Sequence, residues 1–312
     1  MSKIKVIAVV GPTASGKTKL AVELAKKYNG EIISADSMQI YKNMQIATAK
    51  PTEEEQCGIK HHLIDFVEPS KSYSVGDYVL DAEKSINEIV SKGKTPIICG
   101  GTGLYVDSLL KGLTFTENSV DEKLREELSD YNVDDLLAML TEFDSLSAEK
   151  LSLEKNKKRI IRAIEFYKTT GTTISSQNEI NSTIESKYDA MIFGITANDR
   201  QFIYDRINKR VDLMLEDGLL DETRNIINMD LSQTSKKAIG HKELIPYLNN
   251  EDNLESCIEK LKMETRRYAK RQLTWFRRNQ SINWINIDEF NNYTDLVNCV
   301  VDIINKKGFI NG

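Results

Sequence analysis

The chain carries neither a disulfide framework nor a zinc signature. Its four cysteines, Cys57, Cys99, Cys257 and Cys299, lie far apart with no C-x-x-C pair. They fit the reduced thiols of a cytoplasmic protein better than a metal site or a set of bridges. No apolar run approaches the roughly 20 residues that a bilayer-spanning helix needs. The opening "MSKIKVIAVV" is too short and too lightly charged for a signal peptide, and its apolar part runs straight into a motif. Internal repeats and low-complexity tracts are lacking. Positive charge is not in excess either: 42 basic against 47 acidic residues give a formal net charge of −5. Taken alone, that balance argues mildly against a nucleic-acid partner. Two basic segments described below reverse the inference.

What is present is the composition of an ordinary globular protein. With 312 residues, 40% hydrophobic and 29% charged, the chain can bury a full core, most naturally as one large domain with a smaller one. Over residues 1–113, short apolar runs alternate with helical patterns. "IKVIAVV" reads as a buried strand, followed by a helix with Leu20, Ala21, Leu24 and Ala25 on one face and a stop at Asn29-Gly30. "EIIS" and "TPIIC" read as further strands of the continuous apolar kind found in parallel sheets. Over 114–188 the strand signals vanish. "DEKLREELSDY", "VDDLLAMLTEF" and "EKNKKRIIRAIEFYKTTG" are charged and helix-periodic, which predicts an all-helical insertion. Over 189–312 the core resumes with the strand "AMIFGIT", then a long helix or helix pair in "NDRQFIYDRINKRVDLMLEDGLLDETRNII". The chain stays mostly helical to about Phe276, with "INWINI" as a late strand. The fold class expected is α/β: a P-loop NTPase-like parallel sheet core with an all-helical insertion domain, its functional loops at the strand C-termini.

Gly11-Pro12-Thr13-Ala14-Ser15-Gly16-Lys17-Thr18 matches G-x-x-x-x-G-K-[ST], the phosphate loop of ATP- and nucleotide-binding proteins, between a predicted strand and a predicted helix. Its backbone N–H groups and the helix N-terminus form an anion site. Lys17 belongs against the terminal phosphate and the Thr18 hydroxyl on Mg²⁺. The loop thus predicts a diphosphate or longer group without naming its carrier. A nucleotide triphosphatase usually adds an apolar strand ending in an Asp that holds Mg²⁺. Here "TPIIC" runs into Gly100-Gly101-Thr102-Gly103 instead. The second strand does end in an acid: "EIISADSMQIY" puts Asp36 at the C-terminal edge of the sheet near the phosphate loop. It is an N-cap or a ligand of Mg²⁺ water on one reading, and a general base facing the substrate on the other.

Several blocks then agree on one family. "GPTASGKT", "ISADSMQIYKNMQIATAKP", "HHLID", "GGTGLYVDSLL", "KRIIRAIEFY", "YDRINKRVDLMLEDGL", "KAIGHKE" and "RRYAKRQLTWFR", in this order from residue 11 to 277, resemble the bacterial tRNA dimethylallyltransferases (tRNA isopentenyltransferases, the IPP transferase family). "DSMQIY" with "AKRQLTWFR" is much more specific than the phosphate loop. Departures are Ala47 where Gly is usual, Lys157 where Pro is usual after Asn156, and His241 where Tyr is usual; the last leaves a direct role for that side chain open. No zinc finger of the eukaryotic type is visible. The resemblance implies transfer of a dimethylallyl group from dimethylallyl diphosphate to the exocyclic N6 amine of the adenosine 3′ of the anticodon. It also implies Mg²⁺ as cofactor and tRNA as partner, with no membrane or protein partner. The loop would then cradle a diphosphate leaving group rather than bind ATP. The rivals are a P-loop kinase of a small molecule or nucleotide, and a non-catalytic RNA-binding module.

The residue chemistry is consistent with that implication. Breaking the allylic C–O bond puts negative charge on the diphosphate, where N–H groups, Lys17 and Mg²⁺ stabilise it. "YDRINKRV" adds Arg206 and Arg210 one turn apart, with Ile203, Ile207 and Val211 on the buried side, and the resemblance points to Arg210 as the diphosphate-facing one. The adenine amine loses a proton as it reacts, a task for Asp36. The resemblance also places Ser37, Met38 and Gln39 on the target base and Thr102 close to the RNA. Alkylation requires the base to leave its stack, hence a surface that grips RNA backbone. In "KNKKRIIRAIEFYK", Lys155, Lys158, Arg159 and Arg162 share one face, and Ile160, Ile161, Ile164 and Tyr167 the other. The whole block Lys158, Arg159, Ile160, Ile161 and Arg162 is nevertheless counted as RNA-binding. In "ETRRYAKRQLTWFRR", Ala269, Leu273 and Phe276 form a buried stripe, while Arg266, Lys270, Thr274 and Arg277 line a second face. Its RNA-binding candidates are Lys270, Arg271, Gln272, Trp275 and Arg277, with Trp275 either stacked on a base or packed in the core. Arg125 is a weaker candidate for which a surface ion pair is the alternative. The adjacent His61 and His62 point to opposite faces and have no acid or Cys at ligand spacing, so they read as structural.

Overall fold

The computed structural model describes residues 3–115 and 121–310. Its first strand, β1 (Ile4–Val10), lies inside a six-stranded sheet whose order is β3-β2-β4-β1-β5-β6. The others are β2 (Gly30–Ser34), β3 (His61–His62), β4 (Thr95–Gly100), β5 (Tyr188–Thr196) and β6 (Asn283–Asn286), and every pairing is parallel. Alternate residues of β1 serve opposite faces. Ile7 and Val9 pack with Leu20 and Leu24 of α1 (Lys17–Lys27) and with Val300 and Ile304 of the last helix. Val6, Ala8 and Val10 pack with Tyr78 and Ile86 of α3 (Val75–Ser91) and Val106 and Leu109 of α4 (Gly103–Lys111). Burial on both faces explains the uninterrupted apolar runs. The short α2 (Glu53–Gln56) precedes β3. The edge strand β3 was not expected, because two histidines carry no strand periodicity.

Two compact units result: residues 1–110 with 187–312, and residues 111–186. The second unit is wholly helical where described: α5 (Glu122–Ser129), α6 (Val133–Thr141), α7 (Ser145–Glu154), α8 (Lys157–Thr170) and α9 (Ile174–Thr183). Leu128, Leu136, Leu140, Ile160 and Ile164 form its core. Tyr188, counted with the insertion from sequence, instead opens β5, where it is buried and pairs with Ile4. Lys155 does not share the face of α8. It sits between two helices with φ +49°, and Asn156 then caps α8. The expected helix or helix pair is a pair, α10 (Arg200–Glu216) and α11 (Leu219–Ile226), divided at Gly218 with φ +99°. The chain continues through α12 (His241–Leu248), α13 (Leu254–Phe276) and α14 (Tyr293–Lys306). No described helix is long and apolar enough to cross a membrane.

Candidate active site

At the C-terminal end of β1 the phosphate loop folds as its glycines require. Gly11 has φ +143°, and a Cβ there would lie 2.3 Å from the Ile195 carbonyl. Gly16 adopts φ +91° as the N-cap of α1 and offers no side-chain cap, so the first N–H groups of the helix face an anion-binding turn. Lys17 donates to the Pro12 carbonyl at 2.6 Å, and burial pushes its pKa down to about 8. Two arginines of α10, Arg206 and Arg210, reach this loop. Arg206 donates to the Ala14 carbonyl at 2.7 Å, and Arg210 donates to Thr13 Oγ1 at 3.3 Å. The buried Ser15 hydroxyl has no partner among the described residues.

Beside the loop lies a cavity of about 460 Å³ within the first unit. Thr13, Lys17, Thr18, Asp36 and Arg210 line one part of it. Val211, Met214, Ile239, Leu261 and Ala47 also line it, and these five belong to one apolar cluster. The site is therefore cationic at one end and greasy at the other. Asp36 Oδ1 accepts from the N–H groups of Met38 at 2.9 Å and Gln39 at 3.4 Å, which closes the turn after β2. Oδ2 has no protein partner among the described residues. One oxygen of the carboxylate thus caps the turn, and the other is left for a further partner.

Ser37, Met38 and Gln39 all line the cavity. Gln39 is also a brace: Nε2 donates to the Ala49 carbonyl at 3.0 Å and Oε1 accepts from Ser34 at 3.1 Å. Thr102 is not on the lining; its Oγ1 accepts from the Ser37 N–H at 3.0 Å. Lys270 and Arg271 on α13, and Arg277 just past its end, are exposed, and Arg271 reaches the cavity. Two other candidates on this helix turn inward. Gln272 is buried and hydrogen-bonded to the backbone at both ends of its amide. Trp275 packs on Gly103, whose added Cβ would lie 2.1 Å from the indole, and donates to Asp107 at 2.9 Å. Arg278 covers the ring at 4.2 Å, so the core-packing alternative describes Trp275.

In the insertion, Ile160 and Ile161 are 0% and 9% exposed within its core, which corrects their assignment to RNA. The apolar face follows the helical period, and the motif block had swept packing residues in with contacts. Lys158, Arg159 and Arg162 are exposed on α8. Arg159 pairs with Glu154, while Arg162 and Arg125 both reach the buried Glu165 carboxylate, at 2.8 and 2.9 Å. Arg125 is thus in the ion pair that was its alternative reading.

Several cavity residues were missed. Cys99, last of the apolar run "TPIIC", lies beside Lys17 and Thr18, and burial pushes its thiol up to about 11. Lys237, Gly240 and Lys242 of "KAIGHKE" also line the cavity. Their signal was a glycine amid basic residues, and Gly240 has φ +122° and abuts Ala47. His241 itself is buried and is not on the lining. Its Nδ1 lies 3.0 Å from Thr223 Oγ1, and burial lowers its pKa. The neighbouring Glu222 accepts from the N–H groups of Ile46 and Ala47 at 2.7 and 2.9 Å, holding the cavity wall.

Glu31, His62 and Glu88 form the one set of His and acidic groups at metal-ligand spacing among the described residues. Lysines occupy its carboxylates: Lys94 and Lys92 on Glu31, Lys60 and Lys92 on Glu88. A cluster already neutralised in this way is an ion-pair network. The sequence had placed no acid beside the histidines; those beside His62 come from β2 and α3, while His61 is not part of the set.

A parallel α/β core with a phosphate loop opening on a half-apolar cavity defines a P-loop α/β protein. The model of the family described as "IPP transferase" matches residues 39–279. A tRNA dimethylallyltransferase of Acetivibrio thermocellus is 50% identical over 91% of this chain and 92% of its own length. That of Staphylococcus haemolyticus is 45% identical over 92% and 88%. The crystal structure of a tRNA isopentenylpyrophosphate transferase from Bacillus halodurans is 41% identical, covers 98% of this chain and 97% of its own, and has a TM-score of 0.73. A eukaryotic dimethylallyltransferase acting on tRNA aligns with a TM-score of 0.81 at 29% identity, over 97% of this chain and 80% of that one. The chain belongs to the IPP transferase family, as its sequence blocks implied.

Proposed function

We propose that this protein transfers a dimethylallyl group from dimethylallyl diphosphate to the exocyclic N6 amine of the adenosine 3′-adjacent to the anticodon of tRNA, releasing diphosphate. One observation carries the reading: a single cavity joins a phosphate loop to an apolar cluster, with a carboxylate on its wall. Arg210 and Met214 are one turn apart on α10, about 6 Å along the axis at 1.5 Å per residue. That is about the reach of a five-carbon chain whose diphosphate sits at Arg210.

In this reading the α1 N-terminus, Lys17 and Arg210 hold the diphosphate and neutralise the charge that grows on it as the C–O bond breaks. Val211, Met214, Ile239 and Leu261 hold the allyl group away from water. Asp36 Oδ2 takes the proton lost by the amine as the new C–N bond forms. Ser37 and Met38 border the place where the base enters. The Thr18 hydroxyl at the mouth of the phosphate loop is a hard oxygen donor of the kind Mg²⁺ prefers alongside substrate phosphates, so the loop fits that ion. When bound, Mg²⁺ would supply further charge neutralisation at the leaving group. The exposed cations of α13 and α8 serve as grips for RNA phosphates. The reaction fits a cytoplasmic compartment, where tRNA is found.

The kinase alternative is disfavoured by Cys99. A P-loop kinase usually has a strand-terminal carboxylate for its metal, and β4 instead ends in Cys99-Gly100, with a thiol that burial keeps protonated. The test is to incubate the protein with an anticodon stem-loop RNA, dimethylallyl diphosphate and Mg²⁺. A five-carbon mass increase on the RNA supports the reading. Turnover of ATP without such an increase refutes it.

A further inference from the structure

One side chain ties α13 to the phosphate loop. Gln272 Oε1 accepts from the Thr13 N–H at 2.8 Å, and Nε2 donates to the Gly101 carbonyl at 3.0 Å. The partners fix the amide's orientation. A backbone N–H demands an acceptor and a carbonyl demands a donor, so neither a flipped amide nor a carboxylate satisfies both. Gly101 leaves room for it: an added Cβ would lie 2.1 Å from Nε2. Both partners lead on into the site. Thr13 Oγ1 accepts from Arg210, and Gly101 precedes Thr102, which holds the Ser37 N–H. On the same helix, Lys270 and Arg271 immediately precede Gln272 and are exposed, Arg271 at the edge of the cavity.

We propose that Gln272 is a positioning residue that couples RNA occupancy of α13 to the diphosphate affinity of the phosphate loop. The proposal rests on the reading of α13 as an RNA-facing helix. Hydrogen bonds are steep functions of distance and angle, so a shift of α13 by a few tenths of an ångström moves the acceptor that holds Thr13. The loop responds because Gly11, Ala14 and Gly16 all have positive φ and depend on their surroundings to stay there. Such coupling is reciprocal: whatever RNA does to diphosphate affinity, diphosphate does to RNA affinity.

A purely structural glutamine and a coupling one differ in a measurable way. Loss of the first weakens both binary affinities together, whereas loss of the second removes only their interdependence. The experiment titrates inorganic diphosphate with Mg²⁺ into the protein, with and without saturating anticodon stem-loop RNA. Q272M keeps an unbranched side chain of similar length but makes neither hydrogen bond, and Q272E keeps only the acceptor for Thr13. In the wild type, RNA should tighten diphosphate binding by about 5- to 100-fold. That factor should approach one in Q272M and fall between in Q272E, with binary affinities within about threefold of wild type. Should Q272M not fold, Q272E must still show weaker coupling than the wild type. Wild-type coupling retained in the variants, or binary affinities that fall in step with it, would overturn the proposal. So would a wild type with no coupling. A wild type that binds neither ligand would refute the functional reading itself, and the proposal with it.

Discussion

The Lys17 ammonium donates to the Pro12 carbonyl of its own loop at 2.6 Å. Burial outweighs the attraction of Asp36 and lowers the Lys17 pKa from 10.5 to about 8. A bound diphosphate needs the charged form and pulls the pKa up again. The free protein therefore takes up a proton on binding at any pH above about 8. The dissociation constant for inorganic diphosphate should be nearly flat below that pH and rise about tenfold per unit above it. Calorimetric titrations from pH 7 to 9.5 in buffers of different ionisation heat would show both the slope and the proton. In K17A the binding should be weak and the inflection gone. An inflection that survives in K17A would assign the proton to another group.

On the proposed reading Asp36 caps a turn with one oxygen and takes the proton with the other, which makes the choice of substitution decisive. D36N keeps an acceptor for the Met38 and Gln39 N–H groups but cannot take a proton. Its affinities for RNA and diphosphate should stay within a few-fold of wild type, while single-turnover transfer slows by roughly 10²- to 10⁴-fold. D36A loses the turn as well and should also weaken RNA binding. Normal turnover in D36N would leave Asp36 as a cap alone.

The buried Glu31 is a pH-dependent element of the fold that lies away from the cavity. Burial alone raises its pKa, but hydrogen bonds from Lys94, His62 and Lys92 more than offset that and hold it at about 2, against 4.5 when free. A depressed carboxylate stabilises the fold fully above its unfolded pKa, and that stability is lost as pH falls from about 4.5 towards 2. The shift corresponds to about 3 kcal/mol at most, less whatever screening the partly exposed lysines allow. E31Q should thus lower the unfolding free energy by about 2–3 kcal/mol at pH 7 and flatten its decline between pH 4.5 and 2. Urea unfolding at pH 3, 4 and 7 measures this. An equally steep acid decline in E31Q would place the effect elsewhere.

These results also show where sequence reading succeeds. The phosphate loop and strands were legible because they depend on local rules: glycine where φ is positive, and unbroken apolar runs where both faces of a strand are buried. Asp36 was legible from its place after β2. The failures on α13 share one cause, since periodicity sorts the faces of an element but says nothing of what lies opposite. Gln272 and Trp275 sit on a helix rich in cations, yet they fill space left by Gly101 and Gly103, some 170 residues earlier. The misassignment of Ile160 and Ile161 arose differently, because the helical pattern itself had put them on the packing face. His241 braces the cavity wall from behind, through neighbours that no motif links to it.

The exposed cations of α8 are not equivalent, and the difference sets the last prediction. Lys158 has no ion-pair partner among the described residues, and Arg159 pairs with the solvent-exposed side of Glu154, an interaction worth little. Arg162, by contrast, shares with Arg125 a Glu165 carboxylate that is fully buried and also accepts from the Asp121 N–H at 3.0 Å. K158Q/R159Q should therefore leave thermal stability unchanged. If both side chains grip phosphates, it should weaken binding of substrate and non-substrate tRNA by a similar factor. The slope of log affinity against log salt should flatten by about 1.5, at 0.7–0.9 per contact. R162Q should cost about 1–2 kcal/mol of stability, and R125Q/R162Q more, because the second change leaves a buried charge without a cation. Salt titrations of RNA binding and thermal melts of each variant separate the two roles. A slope untouched by K158Q/R159Q would return this face of α8 to solvent. If R162Q instead melts with the wild type and flattens the slope, Arg162 belongs with the RNA grips and Arg125 alone satisfies Glu165.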